Sequence, residues 1–226
     1  MRIPLAREGY PFILASIFGI IIAWLFGLKV TGAIFGAITI FIVSFFRDPE
    51  RTIPSEEDAI VSPADGRVIV IDKCSGDNPL LPPGDRFKIC PHKGGMGGFV
   101  KISIFMNVFS VHVNRVPASG KVLNIFYNPG KFFPADKDKA SLENEQNAIL
   151  IEATNGSEFV VNQIAGLIAR RIVCNLKEGG EVKKGERLGL IMFGSRVDVY
   201  IPVGCRVEVK VGDRVKGGSS LLGYWV

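Results

Sequence analysis

A chain of 226 residues holds one domain of ordinary size plus an appendage. Its 47% hydrophobic content is high for a freely soluble enzyme, and its charge of +5 is too diffuse for a nucleic-acid stripe: residues 1–51 carry five basic and three acidic side chains, the remainder 22 and 19. This faint bias fits a face toward anionic lipid, and four scattered cysteines without a C-x-x-C pair give no zinc spacing, so no metal site is expected.

Between Tyr10 and Phe46 the only charged side chain is Lys29. Tyr10–Leu28 is 19 residues, about 28 Å as a helix, against a hydrocarbon core of about 30 Å. Val30–Phe46 is 17 residues, near the lower limit for spanning, and Gly27 to Gly32 offers a turn between them. The pattern predicts a transmembrane helical hairpin, with helices over about 10–28 and 30–46, inside an anchor over 1–51. Arg2 and Arg7 flank one end and Arg47 and Arg51 the other, which puts both ends on the cytoplasmic side of the cell membrane. Lys29 would snorkel to the far interface. A signal peptide would need a small-residue cleavage site, and Ser44-Phe45-Phe46-Arg47 is a poor one.

From residue 52 onward, short β-branched runs alternate with Gly, Pro and Asp turns. Strands are predicted at Arg67–Ile71, Val100–Phe105, Phe109–Val116, Ala148–Ala153, Phe159–Ile164, Leu188–Phe193, Val197–Ile201 and Arg206–Val211. Gln163–Cys174 reads as strand or short helix. Segments 75–98 and 128–142 read as loops. Glu181–Gly189 and Arg214–Gly223 echo one another: each has a valine, a lysine, a glycine turn and an apolar run. Such paired turns resemble those of the barrel-sandwich. The expected class is mainly β (β-rich α+β), a barrel-sandwich-like domain over 52–226 behind the hairpin.

Three stretches could carry chemistry. Ser62-Pro63-Ala64-Asp65-Gly66 reads by itself as a β-turn. In Phe109–Pro117, strand alternation would put Ser110, His112 and Asn114 on one face. His112 is one of two histidines in the chain, so it is a candidate acid or base, although a lone strand histidine is more often structural. Phe193-Gly194-Ser195-Arg196, between two apolar runs, would ordinarily be a bulge or tight bend. It lacks the G-x-S-x-G of a hydrolase elbow.

In that order along the chain, these stretches resemble the phosphatidylserine decarboxylase family, in its short bacterial and archaeal form. The resemblance extends through Lys139–Asn147, Gln163–Gly166 and Lys184–Gly189 and covers most of 47–226. Longer members carry Leu-Gly-Ser-Thr where this chain has Phe193-Gly194-Ser195-Arg196. They also carry a second histidine three residues before the first, where this chain has Phe109. The role of that second histidine is not transferred.

The resemblance implies that Ser195 attacks the Gly194 carbonyl and that the chain breaks there, leaving a pyruvoyl cofactor derived from Ser195. His112 would take the serine proton, and Asp65 would hold the imidazole. Asn144 and Glu145 would lie near the substrate. A large chain, 1–194, would stay paired with a small chain, 195–226. The implied reaction is decarboxylation of phosphatidylserine, or of an archaeal ether-lipid equivalent, with a membrane phospholipid as partner and no nucleic acid; a homo-oligomer is left open. Lys93–Phe99 could wrap the lipid phosphate or be a plain loop. The main alternative is a membrane-tethered barrel-sandwich adaptor or carrier without catalysis, with Lys183 or Lys216 at a hairpin tip. A pyruvoyl enzyme for soluble amino acids would leave the hairpin unexplained.

Overall fold

A computed structural model describes residues 4–74, 98–130, 144–166, 171–192 and 195–226. After a 3-10 turn at Arg7–Gly9 come α1, Tyr10–Leu25, and α2, Lys29–Phe45. They form the expected hairpin. The first helix ends earlier than its apolar run, because Gly27 enters the left-handed region (φ 68°) and the Leu28 amide closes onto Ala23. Thr39 donates to Ser16 across the pair at 3.0 Å, a polar tie suited to an apolar setting. The outward faces are apolar: Trp24, Val30 and Ile40 are each more than 70% exposed. Helices that are hydrophobic all round belong in a core or in lipid. By length and composition Arg7–Leu25 suffices to cross a membrane, whereas Lys29–Phe45 is shorter, at 17 residues.

The strands are β1 (Ala59–Val61), β2 (Gly66–Cys74), β3 (Phe99–Met106), β4 (Val113–Arg115), β5 (Gly120–Asn128), β6 (Gln146–Ala153) and β7 (Glu158–Ala165). They continue as β8 (Ile172–Cys174), β9 (Glu181–Val182), β10 (Arg187–Ile191), β11 (Ser195–Pro202), β12 (Arg206–Val207), β13 (Arg214–Val215) and β14 (Leu221–Tyr224). A large curled antiparallel sheet has the order β13-β2-β3-β11-β7-β6-β5-β9, and two smaller sheets have the orders β1-β14-β12 and β4-β10-β8. One core takes side chains from all three: Ile60 and Leu222, Leu188 and Ile191, and Ile104, Val161, Val197 and Val199. The β-rich class with an N-terminal apolar hairpin is therefore the one observed.

The hairpin is fastened to this domain. The Ala6 amide donates to Phe46 and the Asp48 amide to Pro4, closing the two ends together. Phe45 and Phe46 are buried against Val111, Val113, Leu190 and Met192, worth about 1.5–3 kcal/mol each. The buried Asp48 carboxylate accepts from Arg115 at 3.0 Å and from Arg187.

Several strands differ in extent from the pattern. Phe109–Val116 shortens to β4, because the Asn107 side chain accepts from the Phe109 amide at 2.9 Å and curls the chain into a turn. Arg206–Val211 stops at Val207, and the Asp213 carboxylate captures the Lys210 amide in the next turn. Gln163–Cys174 contains the end of β7 and the short β8. The two echoing turns are real: Gly185 and Gly218 both have φ 77°, a region that favours glycine, and they lie against each other around Arg115. The loops expected within 75–97 and 131–142 lie outside the described residues.

Candidate active site

Ser195 opens β11, in register with Met106 of β3 on one side and Ala165 of β7 on the other. Strand alternation turns it to the side of Val197 and Val199, toward the core. The residue is fully buried, and its Oγ has no hydrogen-bond partner among the described residues. A buried hydroxyl left unsatisfied costs about 1–3 kcal/mol, so fold stability does not account for a serine here. Gly194 and Phe193 lie outside the described residues.

His112 sits just before β4 and is 1% exposed. Its Nδ1 lies 2.9 Å from the Ser110 carbonyl oxygen. A carbonyl only accepts, so Nδ1 carries the proton and Nε2 is the basic nitrogen. The ring stacks on Phe45, with centroids 4.1 Å apart. Burial pushes the imidazole down from 6.5 to about 4; the Ser110 carbonyl pulls the other way and Arg47 adds to the lowering. His112 is therefore a neutral base at physiological pH. Its carbonyl accepts from the Ile191 amide at 3.4 Å, which ties it to the strand leading into the Gly194 segment.

Asp65 is held otherwise than as an imidazole partner. One oxygen accepts from Arg51 at 2.7 Å and the other from the Gly217 amide at 2.7 Å. In this structure the Ser110 carbonyl and the Phe45 ring, rather than Asp65, orient His112. Arg51 was not foreseen as a site residue, although its place at the polar exit from the hairpin was a signal. Phe45 gave no signal beyond its apolar run.

Asn144 and Glu145 grip the neighbour of Ser195. Asn144 Nδ2 donates to the Ala165 carbonyl at 2.7 Å, and the Ala165 amide donates to Glu145 O at 2.9 Å. The Glu145 carboxylate accepts from Tyr127. A chain of buried amides runs behind them. Asn147 donates to Gln163 at 3.1 Å, and Gln163 donates to Asn114 at 2.9 Å. Asn114 in turn points its amide at the Met106 sulfur, 3.7 Å away. This rail links β4, the strand that follows His112, to the two neighbours of β11, and a connected buried network of this kind makes its surroundings rigid. On the opposite face of β11, Arg196 and Asp198 form a fully buried pair through two contacts of 2.6 Å.

A buried serine, a neutral histidine and a rigid sheet are the kinds of group that acyl chemistry employs. Among the described residues no three His, Cys, Asp or Glu side chains gather as a metal site. Residues 38–223 match the family model described as phosphatidylserine decarboxylase. The chain belongs to the phosphatidylserine decarboxylase family. It is similar to proteins named phosphatidylserine decarboxylase proenzyme in several bacteria. The Geobacter metallireducens protein is 45% identical, over 97% of this chain and 96% of that protein. The Syntrophus aciditrophicus protein is 48% identical over the same shares. The Rickettsia africae protein is 45% identical, over 96% of this chain and 88% of that protein. Coverage at this level takes in the residues of the hairpin as well as those of the β domain.

Proposed function

We propose that this chain is a proenzyme that breaks itself between Gly194 and Ser195 and then decarboxylates phosphatidylserine to the ethanolamine lipid. The observation that carries the reading is Ser195 Oγ, buried and without a partner among the described residues at the head of a central strand. A residue whose hydroxyl is consumed has no need of a hydrogen-bond partner for it. His112 Nε2 takes the Ser195 proton as the oxygen adds to the Gly194 carbonyl, and the amide gives way to an ester. Elimination and hydrolysis leave a pyruvoyl group on the new N-terminus; when present, it withdraws electrons from the substrate as CO₂ leaves. His112 then returns a proton to the α-carbon, and Asn144 and Glu145 keep the wall beside Ser195 in place. For Asp65 to steady the imidazole, it would have to exchange Arg51 for His112.

In this reading residues 1–51 anchor the enzyme in the cell membrane and 52–226 form the catalytic domain on the cytoplasmic side. The lipid substrate stays in the bilayer, and the hairpin holds the site beside it. The carrier alternative gives Ser195 no role. Intact mass of the purified protein tests the reading. Two chains are expected, the smaller starting at position 195 and lighter by one ammonia than a serine-ended peptide. A single intact, folded chain refutes self-cleavage.

The pH dependence follows from His112. Its folded value, about 4, lies below the ordinary 6.5. The neutral base therefore persists down to about pH 4, while the unfolded chain takes up its proton near 6.5. The stability contribution is thus full above about 6.5 and is lost as pH falls through 4. Cleavage of proenzyme made by cell-free translation should be level from pH 8 to about 5 and half-maximal near 4. A half-point at 6.5 would show an imidazole exposed to water.

A further inference from the structure

A cavity of about 620 Å³ opens beside the site, within the about 300–1,000 Å³ usual for small-ligand pockets. Arg47, Arg67, Arg214 and Lys216 line it, with Asp65 as the only acid among its lining residues. Asp65 is already engaged by Arg51 and the Gly217 amide. Arg67 and Arg214 are direct register partners on β2 and β13. Residues opposite each other in an antiparallel pair share a face, and like charges so placed repel. Neither arginine side chain, nor the Lys216 ammonium, has a hydrogen bond or ion pair to a carboxylate among the described residues. Two forked cations side by side with no acid between them match a phosphate oxygen pair.

The groove also has the right address. Ser110, whose carbonyl holds His112, lines it, as does Phe105, which precedes the register partner of Ser195. Arg47 follows the last turn of α2, and its guanidinium donates to the Phe109 carbonyl at 2.6 Å. Phe109, 72% exposed, stands at the rim. The groove therefore reaches from Arg47, just past the last turn of α2, to Ser110 and Phe105. In a serine phospholipid only the serine side-chain carbon and the α-carbon separate the phosphate from the amine, so a phosphate in this groove keeps the amine close by, at the end of the sheet where β11 begins.

We propose that Arg67 and Arg214, aided by Arg47 and Lys216, bind the phosphodiester of the serine lipid and set specificity for a phosphorylated headgroup. This rests on the function proposed above. The test pairs kinetics with binding. In mixed micelles, an Arg67→Gln/Arg214→Gln enzyme should raise KM for phosphatidylserine about tenfold or more with kcat nearly unchanged, since charge-assisted bonds to a remote group are lost. Its chain should still be cleaved, which certifies folding and processing. On uncleaved Ser195→Ala protein, the phosphorus NMR signal of glycerophosphoserine should shift, and adding both glutamines should abolish the shift. An unchanged KM, or a shift that survives the glutamines, overturns the groove. Equal binding of glycerophosphoserine and inorganic phosphate would also overturn it, marking a simple anion site. If the wild type fails to decarboxylate serine lipid, the functional reading falls, and the NMR arm still judges the groove separately.

Discussion

The Ser195→Ala protein is expected to purify as one uncut chain of 226 residues, without decarboxylase activity. Both effects come from a single oxygen. Removing it deletes the nucleophile, which slows comparable acyl chemistry on the order of 10⁶-fold. It also deletes the precursor of the pyruvoyl group. Folding should not suffer, because Oγ makes no hydrogen bond to the described residues that alanine would break. Thermal stability at or slightly above that of a wild-type precursor is therefore expected, and it separates lost chemistry from lost structure. Mass spectrometry and a CO₂-release assay read the two effects. A variant that still divides at 194/195 would move the nucleophile to another residue.

Asp198→Ala should destabilise the domain by about 3–5 kcal/mol, a large share of the roughly 5–15 kcal/mol that a domain has in all. Arg196 and Asp198 are both 0% exposed. Truncating the acid removes the carboxylate that meets the guanidinium at two points, and the positive charge stays in a low-dielectric site. The attraction lost is smaller than the hydration that the charge cannot regain. Replacing both members by apolar residues of similar volume, as in Arg196→Met/Asp198→Leu, should recover most of the loss, because neither charge then needs solvating. Denaturant unfolding in detergent checks both variants. A loss under 1 kcal/mol for Asp198→Ala would mean that water reaches the pair.

What the sequence made legible was what local pattern controls. The hairpin is visible because lipid demands an apolar run, and most strands because β-branched residues recur between turn residues. The β5 strand, Gly120–Asn128, escaped notice: a register shift between Val122 and Asn124 breaks its alternation, and one face stays partly exposed. The three short stretches and their order pointed to the family, and Ser195, His112, Asn144 and Glu145 lie on or beside strands around the proposed break. What the sequence could not show is pairing at a distance. The Arg51–Asp65 ion pair, the Phe45–His112 stack and the Arg67–Arg214 juxtaposition join residues with no local relation. Each depends on where the closing sheet brings the ends of its elements.

If the chain breaks before Ser195 as proposed, the seat of that residue has a further consequence. β11 pairs with β3 from Ser195 to Pro202 and with β7 from Ser195 to Tyr200, so the new terminus begins inside the sheet and not at its edge. The 32 residues beyond the break also supply β12, β13 and β14, which close two of the three sheets. Such a fragment could not leave without dismantling the domain, so an enzyme cut there would unfold and dissociate in one event. Before the cut, unfolding is unimolecular and indifferent to dilution. Afterwards it releases two chains, and its midpoint falls as the protein is diluted. Maturation by that cut would thus exchange a reversible folding equilibrium for a two-body assembly, one that the intact precursor forms while its ends are still covalently joined.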